Sequence, residues 1–109
     1  MYILKRGVTL FMSPEIEKIL EPLCLVYDAF KLPLVITSGL DGPHRENSLH
    51  FNFRAIDIRK LFPDVQHSET WNIHGEYILY GIRELYKTRK YPVIVLNESD
   101  HLHIEWNGQ

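Results

Sequence analysis

The chain predicts an α+β domain, a small antiparallel sheet with helices packed mainly on one side, and three observations lead there. Two long stretches repeat apolar residues at helical spacing, and several short runs are β-branched or alternate polar with apolar. Their order is helix, strand, loop, strand, helix, strand, strand, which is not the regular alternation of parallel βαβ units. With 109 residues, one domain spanning 1–109 is expected, because two separate cores would each fall near the size at which metals or disulfides become necessary.

Ser13-Pro14-Glu15 has the form of a helix start, with a serine cap, proline at the first position and acids near the positive end of the dipole. Ile16, Ile19, Leu20, Leu23, Tyr27 and Phe30 continue at helical spacing, and Pro22 is expected to kink or divide the segment by removing one internal hydrogen bond. Leu34 to Thr37 is a buried strand running into Ser38-Gly39. From Leu40 to Asn52 the residues are polar, bear glycine or proline and lack periodicity, the composition of a binding loop.

Ala55 to Arg59 alternates as a strand, with Ala55, Asp57 and Arg59 on one face and Ile56 and Ile58 on the other. Trp71, Ile78, Ile82 and Leu85 mark a helix from Ser68 to about Arg89, tolerant of Gly75 and Gly81. Trp71, Tyr77, Tyr80 and Tyr86 are expected in the core or in the wall of a groove, and His67 and His74 on the surface. Tyr91 to Leu96 and His101 to Trp106 form a terminal hairpin around Asn97-Glu98-Ser99.

Composition removes several classes of function. Apolar residues at 45% and charged residues at 24% describe a folded domain rather than a disordered one. A net charge of -2 with scattered Lys and Arg leaves no footprint for nucleic acid. Cys24 is alone, so no internal disulfide forms, and it reads as a small buried hydrophobe. No signal peptide and no membrane span are apparent, which implies cytoplasmic synthesis; an exit assisted by a partner would leave no mark in the sequence, so the location of action stays open. A monomer is expected.

In the last strand His101 and His103 share one face while Leu102, Ile104 and Trp106 fill the other. A solvent-facing strand explains such a pair as readily as a metal site does. Its companions are His50, ending the loop, and Asp57, seven residues later on the polar face of a strand. Two imidazoles and one carboxylate suit zinc and leave the fourth tetrahedral position to water, the arrangement of a hydrolytic site. Such chemistry also needs a base. Asp100, three residues before His103, is best placed, with His101 and Glu98 behind it; the competing reading of Asp100 is a plain turn residue.

Ile36-Thr37-Ser38-Gly39, Ser48-Leu49-His50, Ala55-Ile56-Asp57-Ile58 and Asp100-His101-Leu102-His103 together resemble the zinc D-alanyl-D-alanine peptidase family. That family also contains L-alanyl-D-glutamate endopeptidases of bacteriophage endolysins, and it shares its metal-site layout with lysostaphin-type peptidases and the hedgehog signalling domain. The resemblance spans residues 34 to 106 and implies a hedgehog/D,D-peptidase-like fold. It also implies zinc on His50, Asp57 and His103, Asp100 as general base beside His101, and a cell-wall peptide as substrate. Ser48 would contact that substrate, with Ser38 and Arg45 as further contacts, although a surface serine explains Ser48 equally simply. Phe53 stands where the family has glycine, and Leu40-Asp41 where it has Tyr-Arg, so the electrophilic arginine is unassigned. Arg45 or His44 would reach in from the same loop, or Arg45 is a solvated charge. The expected activity is hydrolysis beside a D-amino acid in peptidoglycan, by carboxypeptidase or endolysin-type endopeptidase action. The alternatives are a catalytically inactive zinc-binding assembly module and a domain without metal.

Overall fold

The computed structural model describes residues 1–39 and 54–108. Its elements run β1 (Ile3–Leu4), α1 (Pro14–Ala29), β2 (Val35–Ser38), β3 (Ala55–Arg59), α2 (Val65–Thr88), β4 (Val93–Asn97) and β5 (His101–Trp106). The strands form one sheet in the order β1-β2-β3-β5-β4. Every pair is antiparallel except β1 with β2, so the α+β class holds while the sheet is mixed rather than antiparallel. Parallel neighbours need a long crossover, and α1 is that crossover. A strand of two residues, both largely exposed, has no alternation by which sequence could mark it.

Alternation along β3 and β5 turns Ile56, Ile58, Leu102 and Ile104 to one face, and each is fully buried. They join Ile36 and the apolar sides of both helices in a single core: Ile16, Ile19, Leu23 and Tyr27 from α1, and Trp71, Ile78, Ile82 and Tyr86 from α2. Fully burying one such side chain stabilises by about 1.5–3 kcal/mol, so this face sets the orientation of the sheet. The opposite face carries Asp57, Arg59, His101, His103 and Glu105, all half-buried.

Helix α1 begins as its sequence suggests, with the Ser13 hydroxyl accepting from the Ile16 amide at 3.1 Å. It is not divided at Pro22. The proline costs the bond that would run to the Lys18 carbonyl, on a residue exposed to solvent, and its own ring is buried. One turn earlier the buried Tyr86 hydroxyl donates to the Ile19 carbonyl at 2.6 Å, tying that stretch of α1 to α2. Helix α2 starts at Val65, three residues before the expected Ser68, because Asp64 caps it by accepting from the His67 amide at 2.8 Å. Its first two residues, Val65 and Gln66, are exposed and so add nothing to the buried apolar periodicity. Tyr91 precedes β4 rather than opening it, and Cys24 is half-buried at the edge of the core. Trp71 and Tyr86 are buried as expected, whereas Tyr77 and Tyr80 are 70% and 66% exposed on the outer side of α2.

Both helices end in the same way. After α1, Lys31 donates to the Asp28 carbonyl and Leu32 to Tyr27; after α2, Lys90 donates to Lys87 and Tyr91 to Tyr86. These are Schellman closures, with the residue after the cap in the left-handed region at φ 57° for Lys31 and 58° for Lys90. A lysine there suffers the contact between Cβ and carbonyl that glycine avoids. Lys31→Gly and Lys90→Gly are therefore each expected to stabilise by about 0.5–1 kcal/mol after the larger unfolded-state entropy of glycine is counted. Thermal melts of the single and double variants check this; a lower melting temperature in both would refute the strain argument.

Candidate metal centre and its cavity

Strands β3 and β5 are in register over their whole length, with Asp57 opposite His103 and Arg59 opposite His101. Opposed residues on one face of an antiparallel pair bring their side chains together, and these do meet. His103 Nδ1 lies 2.8 Å from Asp57 Oδ1, and both side chains are 20% exposed. The other Asp57 oxygen is 3.9 Å from His101 Nε2, while His101 Nδ1 lies 2.6 Å from Asp100 Oδ1. At the far end His103 Nε2 faces Glu105 Oε1 at 3.4 Å. The polar face is thus a ladder of alternating carboxylates and imidazoles, Asp100, His101, Asp57, His103, Glu105.

The neighbouring strand shapes one side of this ladder. Register between β2 and β3 shifts between Ile36 and Ser38, so that Ile36 stands opposite Ile58 and Ser38 opposite Asp57. The irregularity lets both Thr37 and Ser38 face the same hollow, and the Thr37 hydroxyl donates to the Asp57 carbonyl at 3.4 Å. Gly39 follows, where a Cβ would meet the Thr9 carbonyl at 2.6 Å, so only glycine lets the segment before α1 close over the end of β2. The hollow is a cavity of about 410 Å³ lined by Lys5, Thr37, Ser38, Asp57, Arg59, Leu61, Asp100 and His101.

The charges respond to this arrangement. Hydrogen bonding to Asp57 raises the His103 pKa above its usual 6.5, with burial opposing and the Asp57 and Glu105 charges adding to the rise. The bond from His101 holds the Asp100 carboxyl below the ordinary aspartate range, so it is ionised at neutral pH.

Of the residues that sequence proposed for the site, Ser38, Asp57, Asp100 and His101 line one cavity, and His103 is bonded to Asp57. His50, Ser48 and Arg45 lie outside the described residues, as do His44, Phe53 and Leu40-Asp41. Among the described residues no group of three His, Cys, Asp or Glu side chains is placed to hold a metal; they contribute two of the three proposed ligands. Those two suit zinc in donor type. At tetrahedral zinc a histidine nitrogen and a carboxylate oxygen stand about 3.3 Å apart, so the pair at 2.8 Å needs to open by only a few tenths of an ångström.

No family model, no curated protein and no solved structure matches the chain. The site therefore stands on its own geometry. Sequence reasoning passed over Glu105, Arg59 and Lys5 as site residues. The first two share the alternation of His103 and Asp57, so strand parity would have flagged them. Lys5 follows a strand too short to show any pattern.

The His103 shift sets an expected pH dependence for protein kept free of metal by chelator. A folded pKa raised above 6.5 contributes stability that is fully present below 6.5 and is lost as pH rises through the folded value. Urea unfolding at a series of pH values should show wild type weakening above pH 6.5 relative to His103→Gln. Parallel curves for the two proteins across that range would remove the proposed Asp57–His103 interaction.

Proposed function

We propose that this protein is a zinc peptidase that hydrolyses a peptide bond beside a D-amino acid in bacterial cell-wall peptide, in the manner of the zinc D-alanyl-D-alanine peptidase family. The observation that carries the reading is the Asp57–His103 pair, whose Asp57 lines a cavity that also holds an ionised Asp100. His50 would complete the ligand set with them. Zinc held by these residues supplies a water of lowered pKa and polarises the scissile carbonyl.

The remaining work falls to the chain's own side chains. Asp100 is ionised and accessible, so it can accept a proton from water at one oxygen and return it to the departing amine. His101 holds Asp100 by the 2.6 Å contact and keeps it on the cavity side of the sheet. Ser38 and Thr37 offer hydroxyls along the cavity wall for the peptide backbone. Glu105 faces His103 Nε2 at 3.4 Å and would orient the imidazole, whose Nδ1 faces Asp57, were a metal held there.

Two measurements test this. Metal-stripped protein should release amino groups from purified peptidoglycan only after zinc is restored, and Asp100→Ala should bind zinc normally while losing about 10²- to 10⁴-fold in rate. Stoichiometric zinc with no cleavage of peptidoglycan would overturn the peptidase and leave a zinc-binding module. Separately, Glu105→Ala should weaken zinc binding by about 10- to 100-fold in a chelator competition, since it removes the partner that orients His103. Unchanged affinity would show that Glu105 does not act on the metal site.

A further inference from the structure

The outer side of α2 carries apolar residues that neither the core nor the proposed site uses. Ile73, Tyr77 and Tyr80 are 69%, 70% and 66% exposed, and they follow one another at i, i+4 and i+7. That spacing sets them in one stripe of the helix, opposite the buried Trp71, Ile78 and Ile82. Single apolar residues scattered over a surface are ordinary, whereas a contiguous stripe, two of its three members tyrosine, has the composition of an interface core. The helices lie behind the sheet, on the side away from Asp57 and His103, so the stripe is separate from the cavity.

The charges along α2 indicate what covers the stripe. No Lys or Arg stands between Asp64 and Ile82, and Glu69 and Glu76 are exposed there. Arg83, Lys87 and Lys90 follow, all exposed, against one half-buried acid, Glu84. The helix is thus acidic up to the tyrosines and basic after them, a polarity that a second copy meets with its own reverse when turned antiparallel about a two-fold axis. With Ile73 set opposite Tyr80 of the second copy, the axis passes between Glu76 and Tyr77, and the two Tyr77 rings meet beside it. Helical geometry then places Glu69 between Arg83 and Lys87 of the second copy, on the same side of the seam. Glu76 meets its own mate, the like-charge contact of the arrangement. An anionic membrane surface would draw the basic half and repel the acidic one. We infer that the outer face of α2 is a homodimer interface, in which two copies of the helix pack antiparallel through Ile73, Tyr77 and Tyr80, in place of the monomer that sequence suggests. Tyrosines bury about 150–250 Å² each, and about two thirds of that is still exposed here, so four of them supply about a third to a half of the roughly 1,200 Å² at which specific interfaces begin. The association is therefore concentration-dependent, and it leaves both cavities open.

Sedimentation of the full chain over a concentration series reaching the millimolar range tests this without reference to activity. Wild type should pass from one chain to two as concentration rises. Tyr77→Gln with Tyr80→Gln should stay a single chain throughout, whereas Leu25→Gln, on an exposed apolar residue of α1, should dimerise like wild type. Glu69→Lys and Lys87→Glu should each weaken the dimer by about 5-fold, and the two together on one chain should restore it, because each then meets the other's charge across the axis. Glu76→Gln should tighten it. In a Cys24→Ser background, Tyr77→Cys should cross-link to its own mate under mild oxidation, and Gln66→Cys, about 30 Å from its mate in this arrangement, should not. Melting curves identify any variant that fails to fold. A single chain at every concentration, an equal loss in Leu25→Gln, or no restoration by the charge swap would each overturn the interface. Wild type that stays a single chain yet binds phosphatidylglycerol vesicles through Tyr77 and Tyr80 would give the stripe to a membrane instead and overturn it too.

Discussion

The antiparallel pairing of β3 with β5 is the constraint on which the other features rest. Five residue pairs in register, from Ala55 with Glu105 to Arg59 with His101, commit both strands to one alternation. On the core face that alternation buries Ile56, Ile58, Leu102 and Ile104 completely. A slip of one residue on either strand would carry its isoleucine or leucine side chains into solvent and push Asp57 or His101 and His103 beneath the helices. Burying an unpaired charge costs far more than burying a methyl group gains. The chemistry of the site is therefore positioned by hydrophobic burial on the reverse side of the same two strands.

The electrostatic order of the polar face follows from that placement. Each imidazole is flanked by carboxylates, and each of the two acids on the cavity wall is turned to an imidazole. The hydrogen bond to Asp57 is the main reason that His103 gains proton affinity, and the bond from His101 the main reason that Asp100 loses it, with the nearby charges adding less. Lys5 and Arg59 remain outside this set of pairs. The cavity wall thus carries both signs of charge, Asp57 and Asp100 beside Lys5 and Arg59.

The periphery supports the sheet by different means. Tyr86 reaches from α2 to the Ile19 carbonyl and fastens the turn of α1 that Pro22 disturbs. Paired left-handed lysines stop each helix and return the chain toward a strand, α1 toward β2 and α2 toward β4. Strand β1 adds an edge through two residues only, yet it is what carries Lys5 to the cavity. A short, weakly marked element can thus place a residue that a strongly marked one cannot reach.

By itself the sequence determined the two amphipathic helices, the alternation of β3 and β5, the Ser13 cap, and the sorting of Asp57, His101 and His103 away from the isoleucines. All of these are local, because side-chain direction has a period of 2 in strands and about 3.6 in helices and is written in neighbouring residues. Tertiary structure decided what no local pattern encodes. It set Asp57 against His103 rather than against another strand, turned Thr37 and Ser38 together at an irregular register, and paired Ile3–Leu4 in parallel across α1. It also left Tyr77 and Tyr80 in solvent and brought Lys5 and Arg59 to a common wall. These depend on which strands become neighbours and in what register, and that choice is made by the total apolar surface buried in the one core, a quantity belonging to the whole chain.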